Sequence, residues 1–268
     1  NKGVNYLNIV GKQLKDLFPG LYKIRNIKIY ATNYQRTQVS AQSLLSGLEA
    51  VEGSSIYVRE SRNCSMSFSD EKATIVNKLI QQVQNEPFIR DTEKKLGPFI
   101  LQTIPELGSK DIPGAVNWMA TLDYFSCRLS HSLPLPPQLY DIHTPAIQYI
   151  AKRYKTETTY IEHQTYFSLP LLKELYTALL SCQNQTIENI PESSQANEDP
   201  AAIIFSGHDV NILDMLHSLD ALVVHPDHMP LYDGGGHWPA YGSNLTFELT
   251  HDNINLYYNF QPLKIHYE

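Results

Sequence analysis

The chain has 268 residues, of which 42% are hydrophobic, and a formal charge of −7. That length holds one large domain or a domain with a big insertion, and that hydrophobic content supports a core. No apolar run reaches the roughly 18 residues needed to span a bilayer, so no transmembrane segment is expected. The acidic balance argues against a generic nucleic-acid or anionic-membrane surface, while leaving room for a local positive pocket.

The chain opens directly inside a helical pattern, with Val4, Leu7, Val10, Leu14 and Leu17 recurring at helical spacing. A helix is predicted from Lys2 to Phe18, stopping at Pro19-Gly20. The opening residues do not read as a signal peptide, and the start is expected to be trimmed. Ile27 to Ala31 alternates as a strand, Thr32-Asn33 turns, and Arg36 to Leu48 is helical. Ser55 to Val58 is a short strand. This α, β, α, β order implies a sheet covered by helices.

From about Asp70 to Ser181 the pattern is mostly helical, punctuated by Pro87, Pro98, Pro105, Pro113 and the run Leu133-Pro134-Leu135-Pro136-Pro137. This stretch reads as a helical subdomain inserted between two halves of a sheet, its last helix running from Leu169 to Leu180. The expected division is therefore an α/β core of residues 1–69 and 201–268, with a helical cap over 70–200. The polar segment 183–200 is expected to be a mobile surface loop. Strand character returns at Ala201–Phe205, Asn244–Leu249 and Ile254–Tyr258. The last two are joined by a hairpin-like turn, Thr250-His251-Asp252-Asn253.

The three cysteines, Cys64, Cys127 and Cys182, lack zinc spacing. One disulfide with a free thiol, or three free thiols, fit the count equally. Cys127 is expected to be buried or disulfide-bonded rather than a nucleophile. Glycosylation triplets stand at Asn63, Asn184 and Asn244. Asn63 and Asn184 are the candidate acceptors, because Asn244 falls in a predicted strand. They point to a secretory or lysosomal lumen, with an organellar or assembly-bound location as the alternative.

The most informative feature is His208-Asp209. The apolar run Ala201-Ala202-Ile203-Ile204-Phe205 suits a strand covered on both faces. Ser206-Gly207 follows it, and after His208-Asp209 a helical pattern runs through Ile212, Leu213, Leu216 and Leu219. A strand end that feeds a helix start is where open α/β sheets place ligands, and free N–H groups there favour an anion. Asp209 is placed to cap the helix or to donate a proton. Arg36 sits at a second strand-to-helix junction, where its charge opposes the helix dipole. The plain reading is a surface arginine paired with an acid; the functional one is a planar fork gripping a phosphate. An arginine, an imidazole and a carboxyl group around one sheet edge suit a phosphate monoester. A nucleophile is lacking. His225, Asp227, His228 and His237 are a weaker metal-cluster candidate in a Pro- and Gly-rich loop. Gly234-Gly235-Gly236 lacks the lysine of a phosphate-binding loop and reads as a flexible turn.

The stretch from Tyr30 through Asn33, Arg36-Thr37 and Ser40-Ala41 to Gln42 resembles the histidine acid phosphatase pattern Arg-Ser-Thr-Asp-x-x-Arg-Thr-x-x-Ser-Ala. Gly207-His208-Asp209 resembles that family's Ala-His-Asp. The segment Leu122 to Cys127 with Leu133-Pro134-Leu135-Pro136 is similar to its helical-domain segment. Pro239-Ala240-Tyr241-Gly242-Ser243, leading to Phe247-Glu248-Leu249, is similar to its Pro-Pro-Tyr-Ala-Ser strand. Four segments in order cover nearly the whole chain. The resemblance, to branch 2 of the histidine phosphatase superfamily, implies an α/β fold. Its mixed, mostly parallel sheet would be flanked by helices, a phosphoglycerate-mutase-like sandwich with an inserted α-helical cap. It also implies phosphomonoester hydrolysis through a phosphohistidine, with no cofactor and no metal. Arg36 and His208 then match phosphate-binding residues, and Asp209 the proton donor.

The chain departs from the family in two ways. No Arg-His pair occurs anywhere in it, so the Arg-His-Gly-x-Arg-x-Pro motif that carries the nucleophile is missing. Tyr30, Ala31 and Asn33 replace that family's Arg, Ser and Asp. Both ends are therefore expected to be trimmed relative to the fold, and the chain by itself is expected to be inactive. The expected ligand is a phosphomonoester or inorganic phosphate. The alternative is a catalytically inactive relative that binds partner subunits or serves a structural role.

Overall fold

In the computed structural model, residues 2–18, 27–49, 54–60, 64–67, 69–110, 112–182, 202–219, 221–223, 238–250 and 253–265 are described. The Pro19-Gly20 stop, the acceptors Asn63 and Asn184, the loop 183–200, and His225, Asp227, His228, His237 and Gly234-Gly235-Gly236 lie outside them.

Strand β1 (Ile27–Thr32) sits at the centre of a parallel sheet between β2 (Ser55–Arg59) and β3 (Ala202–Ser206). Its alternation puts Ile27, Ile29 and Ala31 on one face and Lys28, Tyr30 and Thr32 on the other. Ile27 and Ile29, fully buried, pack against helices α1 (Lys2–Leu17) and α2 (Gln35–Leu48). Tyr30 points the other way. Its ring lies 5.6 Å from Tyr57 and 5.7 Å from Phe205, its neighbours across the sheet. On that face stand α8 (Leu169–Cys182) and α9 (Asp209–Ser218), which contribute Leu171 and Met215 to the cluster beneath Tyr30 and Phe205. The result is a helix–sheet–helix sandwich around a parallel sheet. β3 was expected to be covered on both faces; every residue in it is only half-buried. In the described sheet it pairs along one edge alone, with β1.

A second, antiparallel sheet has the order β4 (Ala221–Val223), β7 (Gln261–Ile265), β6 (Ile254–Tyr258), β5 (Leu245–Leu249). β4 and β7 were not anticipated. β6 turns into β7 through Asn259 and Phe260, both at positive φ (47° and 67°). That geometry normally calls for Asn-Gly, so the sequence gives little sign of the turn.

The helices α3 (Asp70–Val83), α4 (Pro87–Thr103), α5 (Trp118–Ser130) and α6 (His143–Thr158) share one core built on Ile100, Leu122, Phe125 and Leu139. A short helix, α7 (Ile161–His163), continues through a π turn at Gln164–Ser168 into α8. Among the described residues no helix is long and apolar enough to cross a membrane. Cys64 is free and buried. Cys127, expected to be buried or disulfide-bonded, is free and exposed, because its face of α5 turns away from the buried Phe125.

Helices α1 and α2 cross backbone to backbone. A Cβ on Gly47 would overlap the carbonyl oxygen of Asn8, and one on Gly11 the carbonyl oxygen of Leu44. Gly47→Ala should therefore destabilise by roughly 1–3 kcal/mol, although alanine favours helix intrinsically by about 1 kcal/mol. Urea denaturation reads the net sign; a more stable variant would refute the close crossing.

His217 on α9 provides a pH test. Burial first, then repulsion from Lys155 and His163, holds it down to about 4 from its ordinary 6.5. As pH falls below 6.5 the unfolded chain takes up this proton, while the folded chain resists until about 4. The folded state thus loses on the order of 3 kcal/mol across that window. Thermal melts from neutral pH down to this range should show His217→Gln losing less stability than the parent. Parallel losses would show that His217 does not contribute.

Candidate functional site

Because β1 and β3 run parallel in register, with Ala31 opposite Ser206, their carboxyl ends finish side by side. Each turns at once into a helix. Tyr34 is the N-cap of α2 and His208 that of α9. Two helix N-termini therefore open on one spot, each with a partial positive charge, but that of α9 is capped, with the His208 N–H on Asn211 and the Val210 N–H on Asp209. On α2 nothing offsets this, since its first turn has no acid and its N-cap no side-chain bond.

Arg36, in the first turn of α2, meets His208 there, with Nη2 3.2 Å from Nδ1. A guanidinium only donates, so Nδ1 accepts and is unprotonated. Nε2 lies 3.3 Å from Thr32 Oγ1. Burial first, then the charge of Arg36, lowers the His208 pKa, while Asp209 acts in the opposite direction. The ring of Tyr34 lies under the Arg36 guanidinium at 4.5 Å and edge-on to His208 at 5.2 Å. Among the described residues Arg36 forms no ion pair with an acid, the plain alternative for it.

Hydroxyl groups brace the two turns. Thr37 donates to the carbonyl oxygens of Thr32 and Tyr34, and Ser206 Oγ donates to the carbonyl oxygen of Thr37 at 2.7 Å. Thr32 and Thr37, both buried, are 2.8 Å apart through their hydroxyls. Asn211 Oδ1 accepts from the His208 N–H at 2.8 Å. Gly207 leaves no room for a side chain, since a Cβ would come within 2.6 Å of Asn211 Oδ1 and 2.9 Å of Met66 Sδ.

Asp209 is the first residue of α9 rather than its cap. Its Oδ1 accepts from Val210 N–H at 3.0 Å and its Oδ2 from the indole N–H of Trp238 at 2.5 Å. The Trp238 ring stands edge-on to Tyr154 at 5.4 Å. The carboxyl group is thus held in one plane beside the imidazole. Asp123 and Tyr241 complete the surroundings. Partial burial and the charge of Asp209 raise the pKa of Asp123, and Arg36 lowers it. Burial first, then the hydrogen bond with Cys127, raises that of Tyr241.

Arg36, His208 and Asp209, singled out in the sequence, are brought to one place. Trp238, Tyr34 and the Thr32–Thr37 pair were not assigned a role there. An indole N–H seeks a partner when buried, which marks Trp238 as a candidate, but nothing local names its acceptor. Among the described residues no group of three or more His, Cys, Asp or Glu is placed to hold a metal ion. The arrangement suits a tetrahedral anion, with donors on one side and a carboxyl group on the other.

The model of the histidine phosphatase superfamily (branch 2) matches residues 1–99, which contain the stretch from Tyr30 to Gln42 that carries the resemblance. No curated protein matches the sequence. Solved structures that resemble the fold include two phytases. The phytase of Klebsiella sp ASR1 has a TM-score of 0.56 and 16% identity, covering 95% of this chain and 66% of that one. The Hafnia alvei phytase in complex with tartrate has a TM-score of 0.54 and 15% identity, covering 96% of this chain and 71% of that one. The chain therefore spans just under two thirds of the Klebsiella phytase.

Proposed function

We propose that this chain, whose residues 1–99 match the histidine phosphatase superfamily (branch 2), binds the phosphoryl group of a phosphomonoester between Arg36 and His208. It then serves hydrolysis by a nucleophilic histidine from outside these 268 residues. The observation that carries this reading is the 3.2 Å contact between Arg36 and His208 across two helix N-termini.

In this mechanism the Arg36 guanidinium and the uncapped N-terminus of α2 hold the phosphoryl oxygens. The nucleophilic nitrogen attacks phosphorus and the bond to the ester oxygen breaks. Asp209, in its protonated form, gives its proton to that oxygen. Water then attacks the phosphohistidine, Asp209 takes the proton back, and phosphate leaves. The parallel sheet with α1, α2, α8 and α9 acts as the core that bears the pocket, and the helices α3 to α6 as a cap, so that α8 belongs to the core and not to the cap expected over 70–200. The glycosylation triplets favour a secretory or lysosomal lumen.

The sheet edges support a nucleophile supplied from outside. β3 and β5 each have one unpaired edge in the described sheets, and both are half-buried throughout. Phe205 and Phe247 share one apolar cluster. A strand laid between these edges would satisfy buried backbone groups that otherwise cost free energy. The second reading, an inactive binding subunit, rests on the lack of any Arg-His pair.

Calorimetric titration with inorganic phosphate tests the pocket. Arg36→Ala should weaken binding roughly 10- to 100-fold, the loss of one or two charge-assisted hydrogen bonds. Binding indifferent to that change, or absent, would refute the pocket. The 268-residue chain should not turn over p-nitrophenyl phosphate, whereas the full-length product of its coding sequence should. In that product Asp209→Asn should slow esters with poor leaving groups far more than p-nitrophenyl phosphate. Phosphate binding without turnover in the full-length protein would select the inactive reading.

A further inference from the structure

A carboxylate on the wall facing the Arg36–His208 pair has no part in the proposed chemistry. Asp123 lies on α5 one turn before Cys127, so both project from one face of the helix. Cys127 Sγ is 3.1 Å from Tyr241 Oη. Tyr241 follows three residues after Trp238, whose indole holds Asp209. Residues 238–241 therefore bridge α9 and α5 and bring the Asp123 face of α5 against the acid side of the pocket. The electrostatics agree, since Asp123 feels the charges of both Asp209 and Arg36, and Tyr241 those of Asp123 and Asp209.

Asp123 is exposed, and none of the described residues hydrogen-bonds or ion-pairs with it. Among the described residues its carboxylate is thus not engaged in holding the fold. Tyr34 and Tyr241, 39% and 54% exposed, offer aromatic surface at the same opening. A phosphoryl group seated on Arg36 leaves its ester oxygen toward Asp209, and the rest of the leaving group extends toward this wall.

We propose that Asp123 determines specificity, turning away phosphomonoesters whose leaving group carries a further negative charge and favouring uncharged alcohols and phenols. This inference rests on the phosphate-site reading above. One added anionic charge beside it in a partly solvated mouth should cost roughly five- to tenfold in affinity.

Phenyl phosphate and 4-carboxyphenyl phosphate differ by one such charge on the same ring. Calorimetric titration of both near neutral pH gives an affinity ratio in which any effect of Asp123 on the phosphate group itself cancels. The parent chain should prefer phenyl phosphate by roughly five- to tenfold. Asp123→Asn should bring the ratio close to one, and Asp123→Glu should retain the preference. If both ligands bind in an Arg36-dependent way and Asp123→Asn leaves the ratio unchanged, the specificity role is overturned and the phosphate site stands. If neither ligand binds, or Arg36→Ala does not weaken binding, both fall together.

Discussion

The register between β1 and β3 is the constraint on which the site depends. Ala31 opposite Ser206 places two strand-to-helix turns next to each other, and with them the positive ends of two helices and the charge of Arg36. Such like charges repel. The structure answers in two ways. His208 faces Arg36 through an unprotonated nitrogen, so it adds an acceptor instead of another cation. Asp209, one residue on, brings an acid group rather than a further cation. A slip of one residue would turn the side chains of β3 to the opposite face and separate the pair.

The bracing hydroxyls make that alignment stiff. Ser206 at the end of β3 reaches across to the carbonyl oxygen of Thr37, and Thr37 returns to Thr32 at the end of β1. These bonds connect the two turns directly rather than through the sheet alone. Each involves a buried or half-buried polar group that would be costly if unpaired.

Sequence periodicity located α1, β1, α2, β2 and α9 to within about two residues, because each alternates or repeats cleanly and ends on a turn residue. It failed at β4, which has only three residues, and at β7. There the turn uses Phe260 at positive φ where a glycine would have announced it, and Pro262 within β7 argues against a strand. The site divides the same way. Arg36, His208 and Asp209 occupy strand-to-helix junctions, which local pattern reveals. Trp238, Asp123 and Tyr241 reach the pocket from segments 29 to 86 residues away from Asp209, through packing that no spacing encodes. Cys127 illustrates the limit: helical spacing predicted burial, yet the helix turns that face outward to Tyr241.

Trp238 joins the two halves of this picture. It packs against the core of α3–α6 and also against the cluster of Leu213, Leu216 and Tyr258, while its one polar atom holds Asp209. Tyr154, edge-on to the same indole, donates to Asp214 at 2.8 Å, and Asp214 is 2.8 Å from His163. A buried chain of aromatic and polar contacts thus runs from α6 and α7 to the carboxyl group at the pocket. Arg36 and His208 stand on the sheet and its hydroxyl braces instead. Arg36 is thus braced by the hydroxyl groups of the two turns and Asp209 by Trp238, and the two sides meet at the start of α9, where His208 and Asp209 are adjacent.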